Sequence, residues 1–166
     1  MAGKVIGIRM GMGWPGSQSR QADAIIQNRI ADGTIKFGHA VKLAAGKWKE
    51  VESGDVAEAV IGIAVREVVQ SNTFDPQSNP DYVNEAPCDV MTRGNIIVKC
   101  QRGTPVAGDP VFVRIEENAT YPEAVIAGFE ASADGANTIE ITNIVWTTGE
   151  IDADGNCEVT VLTRKS

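Results

Sequence analysis

From Thr34 onward the chain is cut into short apolar runs, each closed by Gly, Asn, Asp or Pro, with alternation at every second residue. Ala40-Val41-Lys42-Leu43 is followed by Ala45-Gly46, read as a turn, and then Trp48 to Val51. Val60-Ile61-Gly62-Ile63-Ala64-Val65 is almost wholly apolar and reads as a buried central strand continuing through Val68 and Val69. Asp89-Val90-Met91 leads by Arg93-Gly94 into Asn95 to Cys100, where Ile96, Val98 and Cys100 share a face. Val111, Val113 and Ile115 alternate after Pro110, as do Ile139-Glu140-Ile141 and Glu158 to Leu162. Many short strands joined by Gly-marked turns specify a mainly β fold, a small β-barrel or sandwich. Two irregular stretches interrupt them: Ser71 to Pro87 and the shorter, acidic Glu116 to Glu123. Long loops in a compact domain generally carry function or contacts.

The N-terminal part reads differently. Gly11-Met12-Gly13-Trp14-Pro15-Gly16 is predicted to be extended loop. In Gln21 to Ile30, residues Ala22, Ile25, Ile26 and Ile30 fall near one helical face, with Ser19 as cap and Asp32-Gly33 as stop, so a short helix is predicted. Residues 1–33 are thus read as an extended N-terminal arm carrying one short helix, and 34–166 as the β-rich body. Charge divides similarly. Residues 1–50 carry eight basic and three acidic side chains, a net +5, and the remainder is −12, from an overall −7. Such asymmetry means either that the two parts face different surroundings or that they attract each other.

With 166 residues, 43% of them hydrophobic, the chain has enough material for a core within one domain. The negative net charge argues against nucleic acid as a partner, because binding to phosphates needs clustered Lys and Arg. No membrane partner is expected, since no apolar run approaches spanning length, and Met1 to Arg9 lacks a signal-peptide pattern. These readings point to a soluble product made in the cytoplasm. Cys88, Cys100 and Cys157 are odd in number and widely spaced, which disfavours a disulfide framework or zinc site.

Gly11 to Gly16 matches a dinucleotide-binding fingerprint literally, but Pro15 removes an amide, Trp14 is bulky, and no β-α series follows. His39 is the only histidine, which excludes paired-histidine chemistry. A Cys–His nucleophile would need a cysteine beside it; Cys100 and Cys157 read as inward-facing, Cys88 at a strand entry is the best candidate for a free thiol, and no local signature supports thiol catalysis. Asp152-Ala153-Asp154-Gly155-Asn156 lacks the glycine and glutamate positions of a calcium loop and reads as a hairpin turn at Asp154-Gly155. Asn118-Ala119-Thr120 is a formal glycosylation sequon without a secretory context. The carboxylates scatter along turns and strand exteriors with no acid–base pair discernible. No catalytic, cofactor or metal site is assigned. Trp48 and Trp146 lie in strand patterns and are expected in the core. Trp14, in the Gly/Pro arm, either anchors in a partner's pocket or folds back on its own domain.

Several pieces, taken in order, carry a resemblance. They are the arm at Gly11 to Gly16, Ala24-Ile25-Ile26, Gly33-Thr34-Ile35-Lys36-Phe37-Gly38-His39-Ala40-Val41, and Val60 to Glu67. A loop with Tyr82, Val90-Met91-Thr92-Arg93-Gly94-Asn95-Ile96-Ile97-Val98 and Ala107-Gly108-Asp109-Pro110-Val111-Phe112-Val113 complete them. This order resembles the structural cement, or decoration, proteins of tailed-bacteriophage heads. The resemblance implies a non-enzymatic virion protein that binds the outer surface of the mature capsid, with the major capsid protein as partner. It also implies a homo-oligomer, commonly a trimer at local three-fold positions. From Ala124 onward the likeness is loose.

In this reading Arg9, Trp14, Arg20, Ile25 and Arg29 are the expected capsid contacts. The basic arm would lie along neighbouring shell subunits and order on docking, while the acidic body faces solvent. Two other readings stay open. One is another virion β-domain, of the tail or baseplate. The other is a small β-barrel ligand-binding module of the carrier or antifreeze-like kind. A lipoyl or biotinyl carrier needs a lysine at a hairpin tip, and none lies near Arg93-Gly94 or between Gly103 and Gly108.

Overall fold

The computed structural model describes residues 11–67 and 81–163. Among the described residues eleven strands follow one another: β1 (Gln18–Ile30), β2 (Ile35–Lys36), β3 (Ala40–Ala44), β4 (Lys47–Glu50), β5 (Val60–Ala64), β6 (Asp81–Tyr82), β7 (Pro87–Lys99), β8 (Pro110–Arg114), β9 (Phe129–Glu130), β10 (Thr138–Trp146) and β11 (Asn156–Val161). Nine of them form one antiparallel sheet in the order β4-β3-β5-β7-β11-β10-β8-β9, with β1 on the other edge of β7; β2 and β6 pair separately. The mainly β reading is therefore correct.

The thirteen-residue β7 organises the whole sheet. One of its edges carries β5 near Met91 and β11 from Gly94 to Lys99, while the opposite edge carries β1. The sheet curls at both ends. β4 returns to the end of β1 through an Ala31–Trp48 bridge, and β9 returns to the end of β7 through a Cys100–Phe129 bridge. Two apolar cores fill these curls. The larger holds Met91, Ile96, Val98, Val111, Val113, Phe129, Ile141, Trp146 and Val159. The smaller gathers Ile35, Phe37, Val41, Trp48, Tyr82, Cys88 and Val90. Trp48 and Trp146 are both buried, as their strand positions predicted. The segment from Ala124 supplies β9, β10 and β11, so it forms one wall of the larger core.

The predicted helix over Gln21 to Ile30 is not formed; those residues belong to β1. Their isoleucine spacing suits either state, and a helix this short is marginal alone. Residues Ile25 to Ile30 instead pair one for one with Arg93 to Pro87, apart from a register shift at Ile25/Ile26. That pairing satisfies a long open edge of β7 and favours β-branched side chains. Between Arg20, opposite Asn95, and Ile25, opposite Arg93, residues 21–24 face Gly94 alone. This bulge turns at Asp23 (φ 65°), whose Oδ2 accepts a 2.7 Å hydrogen bond from Arg93 Nε. A Cβ on Gly94 would stand 3.0 Å from Ala24 Cα, so the bulge requires glycine there. Arg93-Gly94 is consequently not a break between strands, and β7 runs straight through it.

Ala45 (φ 48°) and Gly46 (φ 83°) make the tight β3–β4 turn as predicted. Val68 and Val69, and most of the Ser71 to Pro87 loop, lie outside the described residues. Its final part is more regular than expected, with Asp81–Tyr82 paired to β2 and Pro87 opening β7.

Candidate docking surface at the N-terminal arm

The arm begins as a literal Gly-x-Gly-x-x-Gly and ends as a turn. Ser17 N donates to Trp14 O at 2.9 Å, with Pro15 second and Gly16 third at φ 84°. Pro then Gly with positive φ is the requirement of a type II turn. The turn is inserted between strands. Gly16 N donates to Ile97 O, Arg66 N donates to Gly16 O, both at 2.7 Å, and Ile97 N donates to Ser17 O at 2.9 Å. Gly16 is thereby packed against backbone, where a Cβ would lie 2.8 Å from Arg66 N.

A loop from the far end of the chain fastens the tip. Asp152 Oδ2 accepts from Met12 N at 3.0 Å, and Asn156 Nδ2 donates to Gly13 O at 3.0 Å. Asp152 Oδ1 also accepts from the amides of Asp154 and Asn156. The turn itself runs from Asp152 to Gly155, closed by Gly155 N donating to Asp152 O, and only Gly155 has positive φ. For residues 11–17 the expectation of ordering only on docking is corrected: their backbone is tied to the body within a single chain.

Held this way, Trp14 is 64% exposed. Its ring centroid lies 5.4 Å from the Arg66 guanidinium carbon, which is also 5.4 Å from the Phe37 centroid. Phe37 meets Tyr82 edge to face at 5.0 Å, and Tyr82 Oη donates to Val65 O at 2.6 Å. The buried rings fix Arg66, and Arg66 steadies the exposed indole. Beside Trp14 opens a cleft of about 590 Å³ with Phe37 and Phe129 among its lining and Lys36, His39, Lys99 and Val125 around it.

The other expected contacts are not gathered with Trp14. Arg20 is bound bidentately by Glu158, with Nε at 3.0 Å and Nη2 at 3.1 Å, and Ser19 Oγ adds a 2.6 Å bond to the same carboxylate. Ile25 is half-buried in the strand. Arg29 is exposed, lies 5.4 Å from the Trp48 centroid and donates to Gly46 O. Opposite them, Asn95 and Cys88 are seven residues apart on β7, which separates Arg20 from Arg29 by roughly 23 Å. Arg9 lies outside the described residues.

Arg66, Phe37, Lys36 and Lys99 were not singled out from sequence. Nothing local marks them, because their proximity to Trp14 arises only when Gly16 inserts beside Ile97 and Arg66. Cys88 is a free thiol, but not an exposed one. Cys88 is fully buried, and that burial pushes its thiol up to about 12. His39 Nδ1 stands 2.8 Å from Glu50 Oε1, not beside a thiolate nucleophile. Asn118 of the sequon is engaged internally, donating to Asp134 Oδ2 and accepting from Thr120 N.

A family model described as structural cement protein of phages matches residues 3–162. The chain belongs to the phage structural cement family. The resemblance carried by its glycine and strand motifs was thus to the right family, and it extends through the C-terminal third. The solved structure "The capsid of Myoviridae Phage XM1" contains a chain similar in fold to this cement protein. It has a TM-score of 0.74 and 16% identity, and the match covers 99% of this chain and 100% of that one. No curated protein matches. The family assigns this cement protein a structural role in the phage particle, and its exposed arm is the feature to read in that light.

Proposed function

We propose that this cement protein binds the outer surface of the mature capsid and stabilises it by bridging neighbouring shell subunits of the major capsid protein. One observation carries the reading: an exposed tryptophan is presented on a turn fastened at both ends to the β body. A rigid aromatic anchor is the usual centre of a protein interface, because it brings large apolar area with little ordering cost. Trp14 is the anchor of this reading, and Ile25 and Arg29 are flanking contacts along β1. Arg20 contributes through its exposed edge while it neutralises Glu158.

The contact region corresponds to residues 1–33, whose described part is a turn and a strand rather than a helix, with residues 34–166 as the supporting body. Assembly as a trimer multiplies a modest contact per copy into firm attachment. The acidic remainder of the body faces solvent on a crowded particle.

The test is quantitative mass spectrometry of density-banded particles, reporting this chain relative to the major shell protein. A ratio near parity is expected, because only the shell lattice offers that many equivalent sites. A handful of copies per particle would reassign the protein to the tail or baseplate. Absence from particles would overturn the reading.

A further inference from the structure

Among the described residues, most cations are paired internally. Arg20, Lys42, Lys47, Lys49, Arg93, Arg102 and Arg114 each make an ion pair. The described cations without one are Arg29, Lys36, Arg66 and Lys99, and the last three all line the cleft beside Trp14. Asp81, the cross-strand neighbour of Lys36, is not in an ion pair with it. Lys36 and Lys99 are exposed, on β2 and at the end of β7, so their ammonium groups are open to a ligand from outside.

Arg66 is different in kind. A guanidinium held against aromatic rings interacts through its face, which leaves its in-plane N–H groups for bidentate binding of a carboxylate. Phe37 and Phe129 are buried side chains that line the same cleft, and Val125 is exposed at it. Two carboxylates, Glu123 and Asp154, also line the cleft, and Glu50 lies against His39. The site therefore combines three unpaired cations with an apolar lining and an aromatic rim. A volume of about 590 Å³ is within the range that encloses a compact ligand or several side chains.

We propose that this cleft receives an acidic extended segment of the shell protein. Its carboxylates would meet Lys36, Arg66 and Lys99, and an apolar side chain would pack between Trp14 and Val125. The segment's own N–H or cationic groups would face Glu123 and Asp154. This rests on the capsid-binding reading and names the chemistry of its partner. Charge complementarity selects the occupant, since none of these three cations is committed to an ion pair among the described residues, while Glu123 and Asp154 are left to the segment's donors.

The experiment compares the wild-type chain with K36E/K99E for binding to heads lacking the protein, by co-sedimentation over a series of NaCl concentrations. Both substitutions are on exposed side chains and leave the Trp14–Arg66 contact in place. The expected result is binding weakened at least tenfold at low salt, with a flatter salt dependence than wild type. A photo-crosslinking amino acid at Val125 should then join the chain to a Glu- or Asp-rich peptide of the shell protein. Equal binding by wild type and K36E/K99E would overturn the cleft proposal and leave capsid binding standing. Failure of the wild-type chain to bind heads would overturn the capsid-binding reading itself. A crosslink to a second copy of this chain, with a change of oligomer mass in K36E/K99E, would assign the cleft to self-assembly and overturn the proposal. The crosslink is read in the otherwise unaltered chain, so the outcome does not depend on how the double variant folds.

Discussion

Gly16 and Gly38 meet backbone against backbone: a Cβ on Gly16 would lie 2.9 Å from Gly38 N, and one on Gly38 would lie 2.8 Å from Gly16 N. Both have positive φ, 84° and 76°. Glycine is needed twice over, for conformation and for space. Substituting alanine at either position is expected to cost about 1–3 kcal/mol and to lift the Trp14 turn from its seat. Limited proteolysis should show cleavage near residues 11–16 in G16A and G38A at enzyme levels that leave wild type intact. Unchanged resistance would mean that the arm is held elsewhere.

The Asp152 clamp makes the arm sensitive to acid. Burial alone would raise the Asp152 pKa, but hydrogen bonds from the Asn156 and Met12 amides, the Asn156 side chain and the Asp154 amide outweigh it. The carboxyl is therefore held below its ordinary range. A depressed folded-state pKa stabilises above the unfolded value, near pH 4, and the contribution is lost as pH falls through the folded one. Hydrogen exchange at Met12 N should accelerate as pH is lowered below about 4, after correction for intrinsic rates. In D152N, which keeps one acceptor oxygen but no charge, exchange should be about tenfold faster at neutral pH and lose the acid step. An acid step that survives in D152N would assign it to another carboxylate.

Much of this architecture is legible in residue order, and the missing parts have a common physical cause. Val60 to Ala64 and Ile96 to Lys99 declare themselves as strands because burial on a sheet imposes a two-residue rhythm. Gly11 to Gly16 reads as extended loop, and the structure closes its end into a Pro15-Gly16 turn. Where that turn lodges is not legible, since Gly38, Arg66 and Ile97 lie far along the chain. β1 shows the same limit: Ile25, Ile26 and Ile30 suit a helix or a strand, and the open edge of β7 decides between them. Arg114 looks like a solvent-facing residue within Val111 to Ile115, yet it is wholly buried. Only its partners, supplied from residues 130 and 134, make that burial possible.

Those partners predict the consequence of removing it. Arg114 Nε donates to Glu130 Oε1 at 2.5 Å, Nη2 to Asp134 Oδ2 at 2.9 Å, and Nη1 to Glu116 O at 3.1 Å. Arg102 stands 3.6 Å from the other Glu130 oxygen. Replacing Arg114 by methionine leaves Glu130 buried with its main counter-ion gone, a loss of about 3–5 kcal/mol. The double variant R114M/E130M should recover most of it, because no unpaired charge remains buried. Urea unfolding of both variants measures this. A cost under about 1 kcal/mol for R114M would mean that Arg102 alone suffices to neutralise Glu130.

The thiols should be silent in the folded protein. Burial pushes the Cys88 and Cys157 thiols up to about 12, and Cys100 is raised by the same cause. Since the thiolate is the reacting species, an aromatic disulfide reagent at pH 8 is expected to leave all three unmodified. Adding denaturant should release three equivalents, one for each cysteine. Rapid modification of Cys88 under native conditions would show that the start of β7 opens from the smaller core.

Trp14 separates binding from stability. Its indole is largely exposed and touches Arg66, so W14A removes little buried area and should shift the unfolding free energy by no more than about 0.5 kcal/mol. At the centre of an interface the same truncation is worth about 2 kcal/mol or more, a loss of roughly thirtyfold in affinity for heads lacking the protein. W48A offers the contrast, because Trp48 fills the smaller core and donates its Nε1–H to Gln27 O at 3.2 Å. That change should cost about 3–5 kcal/mol of folding stability. Parallel measurement of unfolding and co-sedimentation for W14A decides the matter. Normal binding by a normally stable W14A would remove the indole from the contact and leave the cationic cleft to account for attachment.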